Sequence, residues 1–334
     1  MEKTCIIAEI GSVHDGSLGN AKKLIEMVGL SGADAAKFQT HIASAETLRD
    51  TPMPSYFKDE PRYEYFKRTS FTLEQWHSIK ITCKENNVAF ISSPFSVEAV
   101  ALLEEVKVEM YKIPSGEVTN TILLDEVART GREVILSSGM SSWKELDDAV
   151  DILSRYHDKI TILQCTSEYP CSYEKVGLNI LQELKDRYSF PVGLSDHTLT
   201  PYASLAAVTL GATVIEKHLT FSRFMYGSDA RNSMEPQEFT DLVKGIRAIE
   251  IMKQNPVDKN KATESLHEMK TVFEKSIVSL IDIPKGAIIT SDMLGLKKPG
   301  TGLPAKRLKD IIGKKTSTFI AKDTLIKKLD LIEK

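Results

Sequence analysis

The sequence predicts an α/β protein: a (β/α)8 barrel over residues 1–255, a linker at 256–272 and a small β-rich module at 273–334. Three observations carry this. Eight short apolar runs recur without the polar alternation of a half-exposed sheet, which marks strands covered on both faces. Amphipathic, helix-like stretches separate them, so the order is β then α throughout. Near residue 273 the texture changes to short β-leaning pieces broken by PKG and PGTG turns.

The eight strands are CIIAEI (5–10), AAKFQ (35–39), VAFIS (88–92), MYKIP (110–114), EVILS (133–137), ITILQC (160–165), VGLS (192–195) and VIEKH (214–218). Helices between them include AKKLIEMVGLSG, LEQWHSIKITCKEN, SVEAVALLEEV and WKELDDAVDILSRY. Two of these open with capping boxes, Thr72 to Gln75 and Ser142 to Glu145. A doubly wound open sheet is the alternative, but no GxGxxG or GxxxxGK[ST] follows any strand. Residues 44–70 form a long insertion after the second strand, with Pro52, Pro54 and Pro61 among Tyr56, Phe57, Tyr63, Tyr65 and Phe66. A βα connection of this length lies on the catalytic face of a barrel and reads either as a wall or lid or as a packed surface loop. A helix from Pro236 to Asn255 closes the barrel. The polar stretch NPVDKNKATESLHEMK then links it to the tail and reads as a linker with a helical portion.

Composition narrows the function. Hydrophobic residues make up 42% and charged residues 27%, as in a globular protein, and no run of eighteen apolar residues suggests a membrane span. The opening MEKTCIIAEIG goes straight into a strand and lacks the layout of a secretion signal. Cys5, Cys83, Cys165 and Cys171 have no CxxC or zinc-finger spacing. Cys5 and Cys165, inside strands, read as buried thiols in a reducing, cytoplasmic setting. Net charge is −3, yet residues 273–334 carry 13 Lys and Arg against 7 Asp and Glu. That excess reads as ordinary surface charge, or as a basic module that docks on an acidic body or near an anionic ligand. No Arg-rich, aromatic-interleaved stretch argues for nucleic acid.

In a barrel, chemistry sits at the C-terminal ends of strands. Here every end carries a polar group: Glu9; Lys37 and Gln39; Ser92 and Ser93; Lys112 with Ser115 and Glu117; Ser137 and Ser138; Thr166 and Ser167; Ser195 with His197; Glu216 with His218. His197 and His218 are 21 residues apart, the length of one loop, helix and strand. That spacing sets two imidazoles side by side, where they suit a divalent metal with open positions. A lone histidine would read as structural. Ser93, Ser115, Ser167 and Ser195 with Lys37 and Lys112 suit an oxyanion such as phosphate or carboxylate. Glu9 and Glu117 are candidates to hold hydroxyls or move protons. Anion, carbonyl and metal together describe carbon–carbon bond formation or cleavage on a phosphorylated small molecule. A rival uses Lys112 or Lys217 as a Schiff-base nucleophile, but Lys112 is flanked by serines and Glu117 rather than sitting alone in an apolar pocket.

These segments resemble the sialic acid (N-acetylneuraminate) synthases and their bacterial nonulosonate relatives. AEIGSVHDGS, KFQTHI, ISSPF, YKIPSGE, LSSGM, QCTSEYP, GLSDHT and IEKH follow in the family order. IPKGAIITSDMLGLKKPGTGL resembles the family's antifreeze-like (SAF) module. The resemblance implies condensation of phosphoenolpyruvate with N-acetylmannosamine or another 2-acetamido hexose, giving a nine-carbon 2-keto acid and phosphate. It implies assistance by a divalent metal, Mn2+ first with Mg2+ or Co2+ as alternatives, and a domain-swapped homodimer. By the same resemblance His197 and His218 are the metal ligands, and Lys37, Ser93, Lys112, Ser115 and Ser195 surround phosphoenolpyruvate. Ser167 stands where the family can have Asn. Glu9, Gln39, Tyr169 and Asp229 face the acceptor sugar, and Glu117 is a site acid.

Three positions depart from the family pattern. Val13 replaces an Asn before His14, Ala230 and Arg231 replace a His and a variable residue, and Lys298 replaces an Arg that reaches the acceptor's acyl group. Lysine keeps the charge but loses the planar fork. These changes lie at or next to the acceptor side, so they raise a diacetamido trideoxyhexose as an alternative substrate, beside drift with an unchanged one. Two other functions remain as alternatives. One is a different phosphoenolpyruvate-dependent 3-deoxy keto sugar acid synthase, which would need a second phosphate site. The other is a non-catalytic glycan- or ice-binding protein.

Overall fold

A computed structural model describes residues 3–52 and 59–332. Its first 254 residues form one compact unit and residues 255–334 a second.

The first unit is a closed barrel of eight parallel strands in sequence order. They are β1 (Cys5–Gly11), β2 (Ala35–Thr40), β3 (Ala89–Pro94), β4 (Met110–Ile113), β5 (Glu133–Ser137), β6 (Ile160–Cys165), β7 (Val192–Asp196) and β8 (Val214–His218). β8 pairs back onto β1 with His218 opposite Glu9, which closes the ring. The helices are α1 (Leu18–Ser31), α2 (Ala43–Glu46), α3 (Arg62–Thr69), α4 (Leu73–Glu85), α5 (Val97–Val106), α6 (Thr121–Arg129), α7 (Trp143–Leu153), α8 (Ile180–Arg187), α9 (Tyr202–Thr209) and α10 (Pro236–Gln254). Both expected capping boxes form, at the starts of α4 and α7. The insertion between β2 and α4 holds α2 and α3. Its Tyr56 and Phe57 lie outside the described residues.

Strand alternation explains the interior. Successive side chains point to opposite faces. The outward set, including Ile6, Ala8, Phe38, Phe90, Tyr111, Leu136, Ile162 and Ile215, packs under the helices in the main core. The inward set begins with an apolar floor of Ile7, Ala35, Ile91, Ile135, Leu163 and Val214. Two residues further along each strand the interior becomes polar: Glu9, Lys37, Ser93, Lys112, Ser137, Cys165, Ser195 and Glu216. A floor of branched side chains thus carries a ring of hydrogen-bonding groups one layer above it. Gly193 is needed in the floor, because a Cβ there would stand 2.2 Å from the Val214 carbonyl oxygen and 2.6 Å from Leu163 Cδ2.

The second unit has an antiparallel pair, β9 (Ser276–Ser279) and β10 (Leu294–Lys297), and further isolated bridges. Ile277, Ile283, Ile289, Leu294, Ile311, Ile320, Ile326 and Leu331 form its core. The stretch expected as a linker contains a helix at His267–Phe273. No helix among the described residues is long and apolar enough to cross a membrane. All four cysteines are free. Cys165 is buried as expected, but Cys5, at the start of β1, is only partly covered.

Candidate active site

The polar ring lies beneath a cavity of 360 Å³ at the C-terminal end of the barrel, a volume suited to a small-molecule ligand. Of the residues singled out from the sequence, Glu9, Lys37, Gln39, Lys112, Ser115, Ser167, Tyr169, Ser195, His197, His218 and Asp229 line it.

At the base, two lysines and two carboxylates interlock. Lys37 Nζ is 2.8 Å from Glu9 Oε2 and 3.6 Å from Glu216 Oε2, while Lys112 Nζ is 3.4 Å from Glu216 Oε1. Lys112 donates to Ser137 Oγ at 2.7 Å, and Ser195 donates to Glu216 at 2.8 Å. All four charges are buried. Burial alone would lift the Glu216 carboxyl, but the Lys112 and Lys37 ammoniums and the Ser195 hydroxyl hold it below its ordinary range. Burial pulls Lys112 below the usual ammonium value despite Glu216 beside it. For Lys37 burial acts the same way, but the two carboxylates outweigh it and the result is upward. Above Lys112, the backbone of Gly139 closes on two hydroxyls and a thiol: a Cβ there would lie 2.5 Å from Ser115 Oγ, 2.5 Å from Ser167 Oγ and 3.1 Å from Cys165 Sγ.

On the opposite wall the histidine ring centroids are 5.6 Å apart. His197 Nδ1 lies 2.8 Å from the Thr166 carbonyl oxygen. A carbonyl only accepts, so Nδ1 carries the hydrogen and Nε2 keeps its lone pair. Burial, then the neighbouring His218, lowers the His197 pKa to about 3. His218 Nδ1 is buried with no hydrogen-bond partner among the described residues. Tyr169 packs against both rings, 4.1 Å from His197 and edge-on to His218. Two adjacent imidazoles with uncommitted ring nitrogens fit a borderline-soft divalent metal. No group of three or more His, Cys, Asp or Glu side chains suited to a metal occurs among the described residues, so a metal here would take its remaining ligands from substrate and water.

A third wall comes from the β1 and β8 loops. Asp229 accepts from the Ser12 amide (3.1 Å), the Ser12 hydroxyl (3.0 Å) and Ser228 Oγ (2.9 Å), while Tyr65 donates to Ser12 at 2.9 Å. Gly11 turns with φ +53, and a Cβ there would collide with Asp229 Oδ2 at 2.5 Å, so the loop needs a glycine.

Three expected residues stand apart from the lining. Ser93 is fully buried beneath Lys37, with its Oγ 3.5 Å from Nζ. Glu117 accepts from Asn120 Nδ2 at 2.8 Å, and its carboxyl is raised by burial. Lys298 belongs to the second unit, where its ammonium sits 4.9 Å from the Phe273 ring centroid. Lys217 does not face the cavity either; it is buried behind the strands, 2.9 Å from Asp196 and bonded to Thr198 and Thr200. Of the departures, Val13 and Ala230 turn into the protein, both buried, although their neighbours Ser12 and Asp229 reach the cavity.

The cavity also contains Ser137 and Glu216, expected at strand ends, and Tyr65 and Phe66 from the insertion expected as a wall or lid, together with residues the sequence did not single out for the site: Ser12, His41, Glu60, Arg62, Phe95, Cys165 and Ser228. Cys165, like Ser137 and Glu216, was open to discovery, since each lies two residues beyond an inward apolar residue of its strand. The others come from loops and from the insertion, where no period of two applies.

Comparison with known proteins places this arrangement in a family. The NeuB family model matches residues 24–258 and the SAF domain model residues 274–332. The chain is 38% identical over 335 residues to the N,N'-diacetyllegionaminic acid synthase of Campylobacter jejuni, covering 98% of this chain and 100% of the relative. It is 33% identical to the human N-acetylneuraminate-9-phosphate synthase, covering 96% and 90% of the two chains. Among solved structures, the N-acetylneuraminic acid synthetase of Leptospira borgpetersenii, in complex with citrate, superposes with a TM-score of 0.70 at 31% identity, covering 80% of this chain and 92% of that one. The chain belongs to the NeuB family and carries a C-terminal SAF domain.

Proposed function

We propose that this protein is a nonulosonate synthase that condenses phosphoenolpyruvate with a 2-acetamido aldohexose, with N-acetylmannosamine or a diacetamido trideoxyhexose as acceptor. The observation that supports it most is the buried ring of two lysines and serine hydroxyls directly below a histidine pair, in one cavity. In the reaction, C3 of phosphoenolpyruvate bonds to the aldehyde carbon of the open-chain sugar. Water adds at C2, and phosphate leaves with its bridging oxygen. Lys37 and Lys112 hold the anion. Lys112 donates to Ser137 and pairs with Glu216 at 3.4 Å, and its ammonium has three donors in all, so it keeps capacity for a ligand. Ser115 and Ser167, closing around Gly139, offer neutral hydroxyls that bind phosphate oxygens without adding charge.

On the acceptor side, Gln39, Tyr169 and Asp229 orient the sugar. Glu9, paired with Lys37 and lining the cavity, can take a proton from a sugar hydroxyl. His197 and His218 would hold the divalent cation, Mn2+, Mg2+ or Co2+. Bound there, it would polarise the aldehyde carbonyl and lower the pKa of a water. Tyr169 and the insertion's Tyr65 and Phe66 give the cavity aromatic walls. The likeness to the Campylobacter enzyme, whose product carries two N-acetyl groups, favours the diacetamido acceptor. The four free thiols favour a reducing compartment, and the basic second unit favours a homodimer in which the SAF domain of one chain covers the other's barrel mouth.

The test is phosphate release from phosphoenolpyruvate with each sugar, with Mn2+ and after EDTA. Release that requires both an aldose and the metal supports the reading, and the ratio of kcat/KM values names the acceptor. No release with either sugar refutes it. Sedimentation of a 37.2 kDa chain as a monomer at micromolar concentration would refute the dimer.

A further inference from the structure

A hydrogen-bonded line runs from the insertion to the polar ring of the barrel through a histidine for which the proposed chemistry gives no role. His41, two residues beyond Gln39, is buried between two aromatic rings: Phe66 at 3.7 Å and 7°, and Phe95 at 4.1 Å and 19°. Its Nδ1 is 2.7 Å from Glu46 Oε1, and its Nε2 is 3.1 Å from Gln39 Oε1. Gln39 Nε2 in turn donates to Glu9 Oε1 at 2.8 Å, and the other Glu9 oxygen meets Lys37 at 2.8 Å.

The direction of each bond follows from the donors available. Lys37 Nζ faces one Glu9 oxygen, and the Gln39 amide nitrogen donates to the other. A carboxylate only accepts, so Gln39 turns its NH2 toward Glu9 and its carbonyl oxygen toward His41. His41 Nε2 must then carry a hydrogen. The Nδ1–Glu46 contact needs a hydrogen too, and a neutral imidazole has one N–H. The His41–Glu46 pair therefore holds one proton more than neutral imidazole plus carboxylate.

We infer that His41, held by Glu46 and clamped between Phe66 and Phe95, is a positioning residue that locks the Gln39 amide in one orientation and so sets which acceptor-sugar groups the cavity accepts. An unlocked Gln39 would rotate between presenting NH2 and C=O, and a site built for one hydrogen-bond pattern discriminates poorly when its partner can flip. The role in sugar selection rests on the acceptor reading above; the lock itself does not.

The two parts are tested separately. In full-length protein labelled with 15N-histidine at pH 7.5, His41 should carry its hydrogen on Nε2, in a hydrogen bond to Gln39. An Nε2 without a hydrogen overturns the lock whatever the enzyme's substrate. In steady-state kinetics His41→Phe keeps the stacked ring but removes both donors. It should raise the KM for the acceptor sugar about tenfold, the scale of one hydrogen bond that steers a ligand. The KM for phosphoenolpyruvate should stay within about twofold. Equal rises in both constants, or a lower melting temperature with neither changed, would reduce His41 to a structural residue. If the wild type turns over no sugar at all, the acceptor reading fails while the spectra still decide the lock.

Discussion

Replacing Glu216 with Gln removes one negative charge from a buried set of two lysines and two carboxylates while keeping its size. Glu216 lies 3.4 Å from Lys112 and 3.6 Å from Lys37. At an effective dielectric of about 20, each contact is worth roughly 5 kcal/mol of Coulomb attraction. Recovered carboxylate desolvation offsets several kcal/mol of that. The remainder matches the roughly 3–5 kcal/mol measured when one partner of a buried pair is removed. For a barrel of this size that lowers the melting temperature by about 10 °C at pH 7. The sign with pH follows from Lys112, which burial already pulls below its usual value. Losing Glu216 lowers it further, so the folded variant sheds the Lys112 proton more easily than the unfolded chain does. The deficit is then largest at neutral pH and shrinks as the pH rises toward that of a free lysine. Phosphoenolpyruvate or inorganic phosphate, supplying the missing negative charge, should raise the variant's melting temperature more than the wild type's. Differential scanning fluorimetry at pH 7 and pH 9.5, with and without 10 mM phosphate, reads all three effects. A shift under about 2 °C with no dependence on pH or phosphate would show that the four groups are not energetically linked.

Further predictions follow from other contacts. Gly139→Ala should raise the KM for phosphoenolpyruvate at least about tenfold with melting within about 2 °C of wild type, since the new methyl displaces two rotatable hydroxyls rather than backbone; an unchanged KM would remove Ser115 and Ser167 from the anion site. Burial lowers the His14 pKa to about 4, its ring packing against Phe71 with Nδ1 accepting from the Gly16 amide. The unfolded chain, with a histidine near 6.5, binds a proton that the folded one refuses until about pH 4, so this stability is complete above about pH 6.5 and is lost as the pH falls. By pH 5 the loss should be about 2 kcal/mol, and urea denaturation of wild type and His14→Phe should show a flatter pH profile in the variant. Borohydride with phosphoenolpyruvate or pyruvate should trap no adduct on Lys112 or Lys217; a labelled lysine in the digest would revive the Schiff-base route.

How much of this the sequence revealed depends on which physical signal placed each residue. The strands could be read because a parallel barrel strand buried on both faces is an uninterrupted apolar run, and β5, β6 and β8 end where the runs end. The period of two then locates the polar ring: Val214 in the floor implies Glu216 above it and His218 above that, and Ile135 implies Ser137. Gln39 and Glu9 were legible for the same reason. His41 was not, because it lies just past the end of β2, and what turns its ring toward the cavity is packing between Phe66 and Phe95 from two other loops. Tyr65 and Arg62 reach the cavity from α3, inside an insertion whose conformation no local pattern dictates. Glu117 differs from these: the 3-10 turn at Ser115–Glu117 sets its carboxylate against Asn120 rather than among the cavity-lining side chains.

The departures from the family pattern also change meaning once placed. An Asn in place of Val13 would have to bury an amide where Val13 is 1% exposed and packed into the main core. Ala230 is equally covered, at the start of a 3-10 turn that directs its neighbour Asp229 toward the cavity. Neither side chain can touch a sugar directly, so any effect on the acceptor must pass through Ser12 and Asp229, which bond to each other at 3.0 and 3.1 Å. Val13→Asn is therefore expected to cost about 1–3 kcal/mol of stability, the penalty for burying an unpaired amide. Its preference between N-acetylmannosamine and a diacetamido sugar should stay within about threefold of wild type. Ser12→Ala takes a donor from Asp229 and a partner from Tyr65 in one step, and should move that preference more than Val13→Asn does. If Val13→Asn instead switches the preferred sugar while Ser12→Ala leaves it alone, acceptor choice is set by the path of the first loop and not by the hydrogen bonds it presents.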